Sequence, residues 1–423
     1  MNKFYLIAAA AFFIISCSQG EGEIQLVNVD ESITLPDGFH AELIAENIGR
    51  ARHLTVLDNG DIYVAIRNTR DEKGGIKGLR DTTGDGLYDQ QVEFGHDGGT
   101  GIKYHNGYLY FASDTSVVRY SLNGSDLLPE GDYEVIAHGF PKQNSHAVKP
   151  FDFDNSGNMY VNVGAPSNSC MEESRTPGSP GMDPCPLLDS TGGVWQFAAD
   201  ELNQHQDNAV HYASGIRNAV AIAWNDSAGD LYIVQHGRDQ LNTLWPDLYD
   251  AEDNAKLPAE EFHRIREGDQ LSWPYCYYDP FKESLVLSPE YGGDGEEIGR
   301  CDQFKEPLVA FPAHYAPNDL IFYSGDQFPE EYKNGAFVAF HGSWNRAPLE
   351  QEGYNVVFLP LSADGTVTGE WSVFADGFAG VETIESPGEA EHRPTGVAAG
   401  PDGSLYVSDS QKGHIWRIRY TGS

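Results

Sequence analysis

The chain of 423 residues carries 64 acidic and 27 basic side chains, so its formal net charge is −37 at pH 7. This excess of negative charge argues against nucleic acid and anionic membrane surfaces as partners, because both would repel the protein. The 46 glycines, 23 prolines and 12% aromatic residues are typical of a β protein that is rich in turns.

The first segment in chain order is predicted to be an export signal. A short basic start is followed by an apolar run from Phe4 to Ile15, which is too short to span a bilayer comfortably. Residues 14–17, Ile-Ile-Ser-Cys, resemble the bacterial lipobox, and this resemblance implies a lipoprotein signal peptide over residues 1–17 that ends at a lipidated Cys17. An ordinary signal peptide with an incidental cysteine is the alternative.

The next segment, residues 18–38, begins with small and polar residues and is predicted to be a flexible tether. We therefore expect an exported protein that is lipid-anchored in the cell envelope, on the periplasmic side or at the cell surface. Contact with the membrane is expected only through the lipid anchor.

A short phrase then recurs six times, in which a turn glycine is followed by an apolar strand that contains Tyr or Phe. The phrases begin at Asn59, Asn106, Ser156, Ala228, Asn334 and Asp402. Each glycine turn joins a short apolar segment to a second strand of period-two alternation. Six equivalent units predict an all-β fold, a single six-bladed β-propeller over residues 39–423 with long loop insertions. A β-sandwich or two smaller β domains would not account for six equivalent turns.

The longest insertion is predicted to span residues 240–317 and to include one helical stretch over residues 258–266. The last strand pattern, residues 413–420, is expected to pair with an early strand over residues 40–46. This pairing would close the ring of blades.

Four cysteines remain after Cys17, and an even number in an oxidising compartment suggests two disulfides. Local pairing is the simplest of the three connectivities. It would join Cys170 to Cys185 and Cys276 to Cys301.

In a propeller, the residues before each first strand and those after each second strand should converge at one mouth of the central channel. The former group contains the glycine-rich residues 97–101 together with Arg50, Arg52, His146, Lys149, Arg217, Asn218, Asn318, Asp319, His392 and Arg393. The latter group contains His236, Gly237, Arg238, Asp239, His341, Trp344, Asn345, Arg346 and Lys412. A basic mouth on an acidic body predicts a site for a small polyanionic ligand. For any single arginine, the alternative is a salt bridge between blades.

The elements Gly-Ile-Arg-Asn at residues 215–218 and Gln-His-Gly-Arg-Asp-Gln at residues 235–240 carry a family resemblance. The chain resembles the soluble quinoprotein glucose/sorbosone dehydrogenases, which bind pyrroloquinoline quinone, over residues 40–420. It is most similar to the sorbosone-dehydrogenase-like branch.

The resemblance implies a role for individual residues of the mouth. Arg217, Asn218 and Arg393 are placed like cofactor contacts, His146 is placed like the catalytic base, and the main-chain carbonyls of Gly237 and Arg238 are placed like calcium ligands. Other cations of the mouth are further candidates for contacts with the cofactor, namely Arg52, Lys149, Arg238 and Arg346.

Three positions depart from the glucose-oxidising branch. Residues 97–101 replace a glutamine of the blade-two loop, His341 or Arg346 stands where a blade-five lysine is expected, and Thr395 stands where a second arginine is expected. These departures argue against glucose as the substrate, whereas the remaining cations still favour binding of the cofactor.

The predicted function is therefore that of a quinoprotein dehydrogenase acting on an aldose or a sugar-derived aldehyde or alcohol. His146 would act as the base and calcium as the Lewis acid while hydride passes to the quinone. The sequence contains no haem motif, so a separate electron acceptor is expected, such as a cytochrome or a quinone. A non-catalytic cell-surface binding module and a calcium-dependent propeller lactonase are the alternatives.

A second acidic loop, residues 81–89, presents Asp81, Asp85 and Asp89 among glycines. It resembles an incomplete calcium loop that lacks the bidentate glutamate of an EF-hand. A structural calcium site and a plain Asp-Gly turn are both compatible with this pattern.

Overall fold

Six β-sheets of four or five strands follow one another along the chain in the computed structural model, which describes residues 24–122 and 126–422. The sheets are the blades of a six-bladed β-propeller, so the predicted fold is confirmed. The predicted signal peptide and Cys17 lie outside the described residues.

The strands and helices are introduced here in chain order. The first strand and those of blades one and two are β1 (Phe39–Ala45), β2 (Ala51–Val56), β3 (Ile62–Ile66), β4 (Gly75–Arg80), β5 (Gln90–Phe94), β6 (Gly99–His105), β7 (Tyr108–Ser113), β8 (Ser116–Ser121) and β9 (Glu134–His138). The next strands are β10 (Phe151–Phe153), β11 (Asn158–Val163), β12 (Gly193–Ala198), β13 (Gln204–His205), β14 (Val210–Ser214), β15 (Ala221–Asn225) and β16 (Asp230–Gln235). They form blade three and the start of blade four, except β13, which pairs with β9 and extends the sheet of blade two.

The long insertion follows β16 and contains two short helices. Its elements are α1 (Leu241–Leu244), α2 (Ala251–Lys256), β17 (Glu260–Ile265), β18 (Asp269–Gln270), β19 (Cys276–Asp279), β20 (Ser284–Leu287) and β21 (Val309–Phe311). Blades five and six comprise β22 (Pro317–Phe322), β23 (Ala336–Phe340), β24 (Asn355–Leu359), β25 (Ser372–Ala375), β26 (Pro394–Ala399), β27 (Leu405–Asp409) and β28 (Ile415–Tyr420).

The six glycine phrases are the turns between the first and second strands of the six blades. In five blades the glycine itself has a left-handed backbone, for example Gly60 with φ 88°. Blade five differs because Asn334 takes the left-handed conformation with φ 62°. The repeat therefore identifies equivalent turns even where the residue that bends the chain changes.

The ring of blades closes as predicted. Strand β1 pairs antiparallel with β28, so that Leu43 lies opposite Trp416 and Phe39 lies opposite Tyr420. The Trp416 side chain is fully buried, and Phe39 contacts Phe328 and Phe374 edge to face between blades five and six. The N-terminal and C-terminal strands thus complete one blade together.

Residues 24–38 differ from the predicted flexible tether. Val29 forms a bridge with Glu42, Thr34 forms a bridge with Asp376, and Ile33 is buried. The described part of this segment packs on the propeller because its apolar and backbone groups find partners there.

The helical stretch predicted over residues 258–266 is wrong. These residues form β17, the third strand of blade four, which pairs with β16 from Leu231 opposite Ile265 to Gln235 opposite Glu261. The spacing of Phe262 and Ile265 is compatible with a helix, but pairing with β16 satisfies the backbone groups. The insertion therefore contributes β17 and β21 to the propeller itself.

Both predicted disulfides are present, so the local pairing is confirmed. The Cα atoms of Cys170 and Cys185 are 6.1 Å apart, and those of Cys276 and Cys301 are 5.9 Å apart. The first bond packs against Trp273, and the second packs against the hairpin of β19 and β20. In residues 24–122 and 126–422, the structure contains no helix that is long and apolar enough to cross a membrane.

Candidate functional site

The predicted base, His146, lies in the loop before β10, with a left-handed backbone at φ 53°. Its Nδ1 donates a hydrogen bond to the carbonyl oxygen of Ala165 at 2.6 Å. The amide of Ala165 in turn donates to the carbonyl oxygen of Arg217 at 2.8 Å. Because the carbonyl can only accept, the proton of a neutral imidazole sits on Nδ1 and leaves the lone pair of Nε2 available.

The surroundings of His146 keep the imidazole neutral. Burial, followed by the positive charge of Arg217, lowers the pKa of His146 to about 3. A neutral imidazole with a free Nε2 has the protonation state that a general base requires.

Arg217 is held by three groups at the start of blade four. Its Nη2 donates to the Asp239 carboxylate at 2.7 Å and to Asn168 Oδ1 at 3.0 Å, and its Nε donates to the Asn168 carbonyl at 3.2 Å. Burial alone would raise the pKa of Asp239, but Arg217 and further cations hold it well below its usual range. The guanidinium is thus fixed in place, and its charge is partly balanced by Asp239.

Arg393 is oriented by carbonyl groups of blade five. Its Nε donates to the His341 carbonyl at 3.0 Å and its Nη2 donates to the Gly342 carbonyl at 2.6 Å. The guanidinium also lies 5.7 Å from the centre of the Tyr354 ring. Carbonyl oxygens orient the side chain without cancelling its charge, so Arg393 remains available to a ligand carboxylate.

Arg52, at the start of β2, is 9% exposed. In the described part of the chain it forms no ion pair, and its Nε has no hydrogen-bond partner. Burial, followed by the positive charges of Arg67, Arg50 and Arg393, lowers the pKa of Arg52 to about 9. A buried guanidinium without an anion is what a binding site for a polyanion would provide.

Two histidines connect these arginines electrostatically. Burial and then Arg217 lower the pKa of His236 to about 4, and Arg52 contributes as well. Burial and then Arg393, Arg52 and Arg50 hold the pKa of His341 well below its usual range. We refer to His146, Arg217, His236, His341, Arg393 and Arg52 as the cationic basin.

Asn218, the remaining predicted contact beside Arg217, is 4% exposed. Its carbonyl accepts a hydrogen bond from the His236 amide at 2.9 Å. A Cβ atom on Gly164 would lie 2.5 Å from Asn218 Oδ1 and 2.7 Å from the Cβ of His146. Gly164 therefore permits Asn218 and His146 to approach each other.

Three of the predicted cations contact carbonyl or carboxylate groups of the protein, and we do not include them in the cationic basin. The Lys149 ammonium is fully buried and donates to the Ala147 carbonyl. Arg238 forms a buried ion pair with Glu290. Arg346 pairs with Glu352 at 2.7 Å and donates to backbone carbonyls. Each of these side chains therefore has a protein partner, although Arg238 Nε and Nη2 have no hydrogen-bond partner among the described residues.

The predicted calcium ligands of the loop after β16 have a suitable environment. The Gly237 amide is held by Glu260 Oε2 at 2.7 Å. The carbonyl oxygens of Gly237 and Arg238 accept no hydrogen bond from the described residues. Free carbonyl oxygens beside a cofactor site are suitable ligands for a hard cation.

The second predicted calcium loop has no such geometry. The Asp81 carboxylate accepts hydrogen bonds from the backbone amides of Gly84 and Gly86, each at 2.7 Å. The Asp89 carboxylate accepts one from the Thr82 amide at 2.7 Å. Asp85 likewise accepts the Leu87 amide at 2.9 Å. No three acidic, histidine or cysteine side chains gather as a metal cluster within the described ranges. These contacts are those of a self-capped Asp-Gly turn.

Sequence reasoning missed three residues whose hydrogen bonds orient Arg217 and the loop after β16. Asn168 binds both Arg217 and the Asp239 amide, Gln235 Oε1 accepts the Arg217 amide at 3.1 Å, and Glu260 holds the Gly237 amide. Asn168 is an isolated asparagine in a disulfide-bridged loop, which carries no recognisable pattern. Its role follows only from the folding of that loop over β16.

Comparisons with known proteins identify relatives of the chain. The pyrroloquinoline quinone-dependent pyranose dehydrogenase of Coprinopsis cinerea is 26% identical over 284 residues, which are 57% of this chain and 37% of that protein. The holo form of the PQQ domain of the Coprinopsis cinerea pyranose dehydrogenase has a TM-score of 0.71 at 19% identity, over 93% of this chain and 98% of that chain.

A calcium structure of Trichoderma reesei Carbohydrate-Active Enzymes Family AA12 has a TM-score of 0.74 at 15% identity, over 95% of this chain and 99% of that chain. At such identities, the structural likeness shows the fold. The family model described as TrAA12-like matches residues 33–421. Because this match spans the whole propeller, the chain belongs to the TrAA12-like family.

Proposed function

We propose that the protein is a quinoprotein dehydrogenase that binds pyrroloquinoline quinone in the cationic basin and oxidises a sugar or a sugar-derived aldehyde or alcohol. The observation that carries this proposal is the electrostatic linkage of His146, whose Nδ1 is committed to the Ala165 carbonyl, to Arg217 directly and to Arg52 and Arg393 through His236 and His341. The Coprinopsis cinerea relative, a pyranose dehydrogenase dependent on the same quinone, supports it.

The residues present fit the three carboxylates and the ortho-quinone of this cofactor. Arg52 has an unpartnered buried Nε, and Arg393 is oriented only by carbonyl groups. Guanidinium groups match carboxylates in shape and charge. Arg217 would supply a third cation, with Asp239 keeping its orientation.

Calcium is part of the proposal. The free carbonyl oxygens of Gly237 and Arg238 would hold it beside the basin. When bound, the quinone with its calcium ion supplies the electron acceptor and the Lewis acid for the oxidation.

The chain's own contribution to the chemistry is proton transfer and orientation. His146 Nε2 would accept the hydroxyl proton of the substrate, since Nδ1 is committed to the Ala165 carbonyl. The depressed pKa of His146 keeps this nitrogen unprotonated in neutral solution. Arg217 reinforces this state, because its carbonyl holds the Ala165 amide and its charge disfavours imidazolium.

The rim of the mouth favours a sugar-like substrate. The Trp344 side chain is 58% exposed. It neighbours Asn345, whose Nδ2 donates to Asp239 at 2.8 Å. An exposed indole suits the apolar face of a sugar ring. We include aldoses and sorbosone-like aldehydes in the proposed class, following the sequence resemblance to the sorbosone-dehydrogenase-like branch.

The cellular setting is also proposed on sequence grounds. The lipobox-like residues 14–17 support export and lipid anchoring at Cys17. The two disulfides are compatible with an oxidising compartment. A separate electron acceptor, a cytochrome or a quinone, would reoxidise the enzyme.

Reconstitution tests the proposed function directly. Purified apoprotein is titrated with pyrroloquinoline quinone and calcium, its absorbance spectrum is recorded, and dye reduction is measured with a panel of sugars and aldehydes. We expect saturable quinone binding and dye reduction by at least one of these substrates. A folded protein that does not bind the quinone would contradict the proposal and favour a binding module, whereas cofactor-free lactone hydrolysis would favour a hydrolase.

A further inference from the structure

We propose that Glu260 is a positioning residue. By binding two separate loops, it fixes the positions of Arg217 and Arg393 relative to each other, so that both can contact the same ligand. This inference rests on the proposed function of the cationic basin. Glu260 begins β17 and is 2% exposed. Its two carboxylate oxygens accept backbone amides from different blades, Gly237 at 2.7 Å and Ala316 at 3.1 Å.

The first branch leads from Glu260 to Arg217. Gly237 follows His236, whose amide donates to the Asn218 carbonyl at 2.9 Å. Two residues further on, Asp239 binds the Arg217 guanidinium at 2.7 Å. Since a planar trans peptide directs its amide and its carbonyl in opposite directions, holding the Gly237 amide turns the His236 carbonyl away from Glu260. The carboxylate therefore determines how the loop after β16 presents its groups.

The second branch leads from Glu260 to Arg393. Ala316 has a left-handed backbone with φ 60°, which is unfavourable for a residue with a side chain. Its carbonyl accepts the His341 amide at 2.9 Å, and the adjacent Tyr315 carbonyl accepts the Gly342 amide at 2.8 Å. The carbonyls of His341 and Gly342 are the groups that orient Arg393. Holding the Ala316 amide thus stabilises the support of the second arginine.

The chemistry of Glu260 fits this double role. Within the described part of the chain its carboxylate forms no ion pair, so its burial is not offset by a direct cationic partner. Burying such a group is unfavourable unless its oxygens are well bonded. Burial raises the pKa of Glu260 to about 8, whereas the backbone amides of Gly237 and Ala316 oppose this shift because they favour the carboxylate. As a carboxylate, Glu260 has two oxygens that accept amides, whereas the glutamine side chain has one accepting oxygen and one donating nitrogen. Glu260→Gln would therefore keep the hydrogen bond to one loop amide. At the other amide, two N–H donors would face each other, and that contact would be lost.

The test measures quinone binding to the apoprotein, by absorbance titration in calcium, for the unchanged protein, Glu260→Gln and Glu42→Gln. Glu42 is the control for a buried carboxylate remote from the basin, since it lies in β1 at the outer edge of blade six, is fully buried and accepts the Val27 amide. It differs from Glu260 in that it also pairs with Arg417 at 2.7 Å, so only quinone binding, and not stability, is compared. We expect Glu260→Gln to weaken quinone binding about tenfold or more, because the glutamine amide nitrogen cannot accept the second backbone amide and that buried amide loses its partner. Glu42→Gln should leave quinone binding unchanged.

A double-mutant cycle distinguishes positioning from a general loss of stability. If Glu260 acts through both arginines, Glu260→Gln combined with Arg217→Ala or with Arg393→Ala should weaken binding by less than the product of the single effects. Additivity with Arg393→Ala would overturn the link between the two loops. If Glu260→Gln does not fold, as judged by thermal unfolding, Glu260→Asp is used, whose shorter side chain should lose one contact and weaken binding in the same direction.

The outcomes also separate this inference from the proposed function. If the unchanged apoprotein does not bind the quinone, the proposed function fails. If the unchanged protein binds the quinone and a folded Glu260→Gln variant binds it equally well, the positioning role of Glu260 is overturned while the proposed function stands.

Discussion

The imidazole of His146 has one nitrogen committed to a carbonyl and one nitrogen available, and this division determines what the residue can do. Its protonation state is set by burial and by Arg217, both of which disfavour the charged form. Arg52 shows the complementary case, in which a buried cation has no ion-pair partner among the described residues and its Nε has no hydrogen-bond partner there. At the residue scale, the site is defined by groups whose interactions are incomplete without a ligand.

The pH dependence of the reconstituted enzyme should reflect the low pKa of His146. The pKa is about 3 in the folded protein and 6.5 for an ordinary histidine, so the base remains neutral well below pH 6.5. We expect kcat/KM to show no loss from His146 between pH 7 and pH 5. The same shift means that this group's contribution to the free energy of unfolding decreases as the pH falls from about 6.5 toward 3. A fall in kcat/KM centred near pH 6.5 that is absent from the His146→Ala variant would contradict the low pKa of His146.

Removing the guanidinium of Arg52 should affect binding more than folding. The Arg52→Ala variant is expected to weaken quinone binding by about tenfold or more, because a desolvated charge pair with the ligand is lost. Arg119→Ala is a suitable control, since Arg119 pairs with Glu134 at 2.7 Å in the outer part of blade two. The measurement is the absorbance titration of both apoproteins. Equal affinity of Arg52→Ala and the unchanged protein would exclude Arg52 from the site.

At the element scale, the loop between β11 and β12 carries Asn168 and the Cys170–Cys185 disulfide two residues further on. Trp273 contacts this disulfide and also donates from Nε1 to the Asn168 carbonyl at 2.9 Å. The covalent bond and the indole together hold the residue that orients Arg217. The second disulfide, Cys276–Cys301, is packed in the hairpin of β19 and β20 instead.

The two disulfides should therefore differ in their effect on the site. Replacing either pair by serine is expected to lower the free energy of unfolding by about 2–4 kcal/mol, since each bond restricts the unfolded chain. Only the Cys170→Ser and Cys185→Ser double variant should also weaken quinone binding, through Asn168. Thermal unfolding and quinone titration of both double variants test this expectation. A loss of binding in the Cys276→Ser and Cys301→Ser variant alone would reverse the assignment.

At the scale of the whole molecule, the ring is closed by two strands from opposite ends of the chain. Trp416 in β28 is fully buried, and its Nε1 donates to Asp30 at 2.9 Å. Because β1 pairs with β28, the N-terminal segment and the last strand stabilise the same blade. The cationic mouth depends on this closure, since Arg393 precedes the first strand of that blade.

Two tryptophans should separate closure of the ring from binding of the substrate. Trp416→Ala should lower the free energy of unfolding by about 3–5 kcal/mol, as expected for a large aromatic side chain removed from a core. Trp344→Ala should leave stability within about 0.5 kcal/mol, because the side chain is 58% exposed, and should raise KM for the sugar. Thermal unfolding and steady-state kinetics measure both effects. A Trp344→Ala variant with unchanged KM would remove the indole from the proposed substrate site.

The sequence alone was sufficient for the architecture, because the glycine turn and the apolar strand after it recur six times, which only equivalent blades explain. It also predicted that His146, Arg217 and Arg393 lie at one mouth, since each precedes the first strand of its blade. The pairing of Cys170 with Cys185 followed from proximity along the chain, which constrains a short loop strongly.

Only the tertiary structure decided which cations have partners within the protein. Arg238 and Lys149 have sequence positions as favourable as that of Arg52, yet Arg238 forms an ion pair with Glu290 and the Lys149 ammonium donates to the Ala147 carbonyl. The stretch over residues 258–266 likewise became a strand through pairing with β16. Burial forces a charge or a backbone amide to find a partner, and the identity of that partner depends on residues distant in the chain. The roles of Asn168 and Glu260 therefore appeared only when distant loops had been brought together.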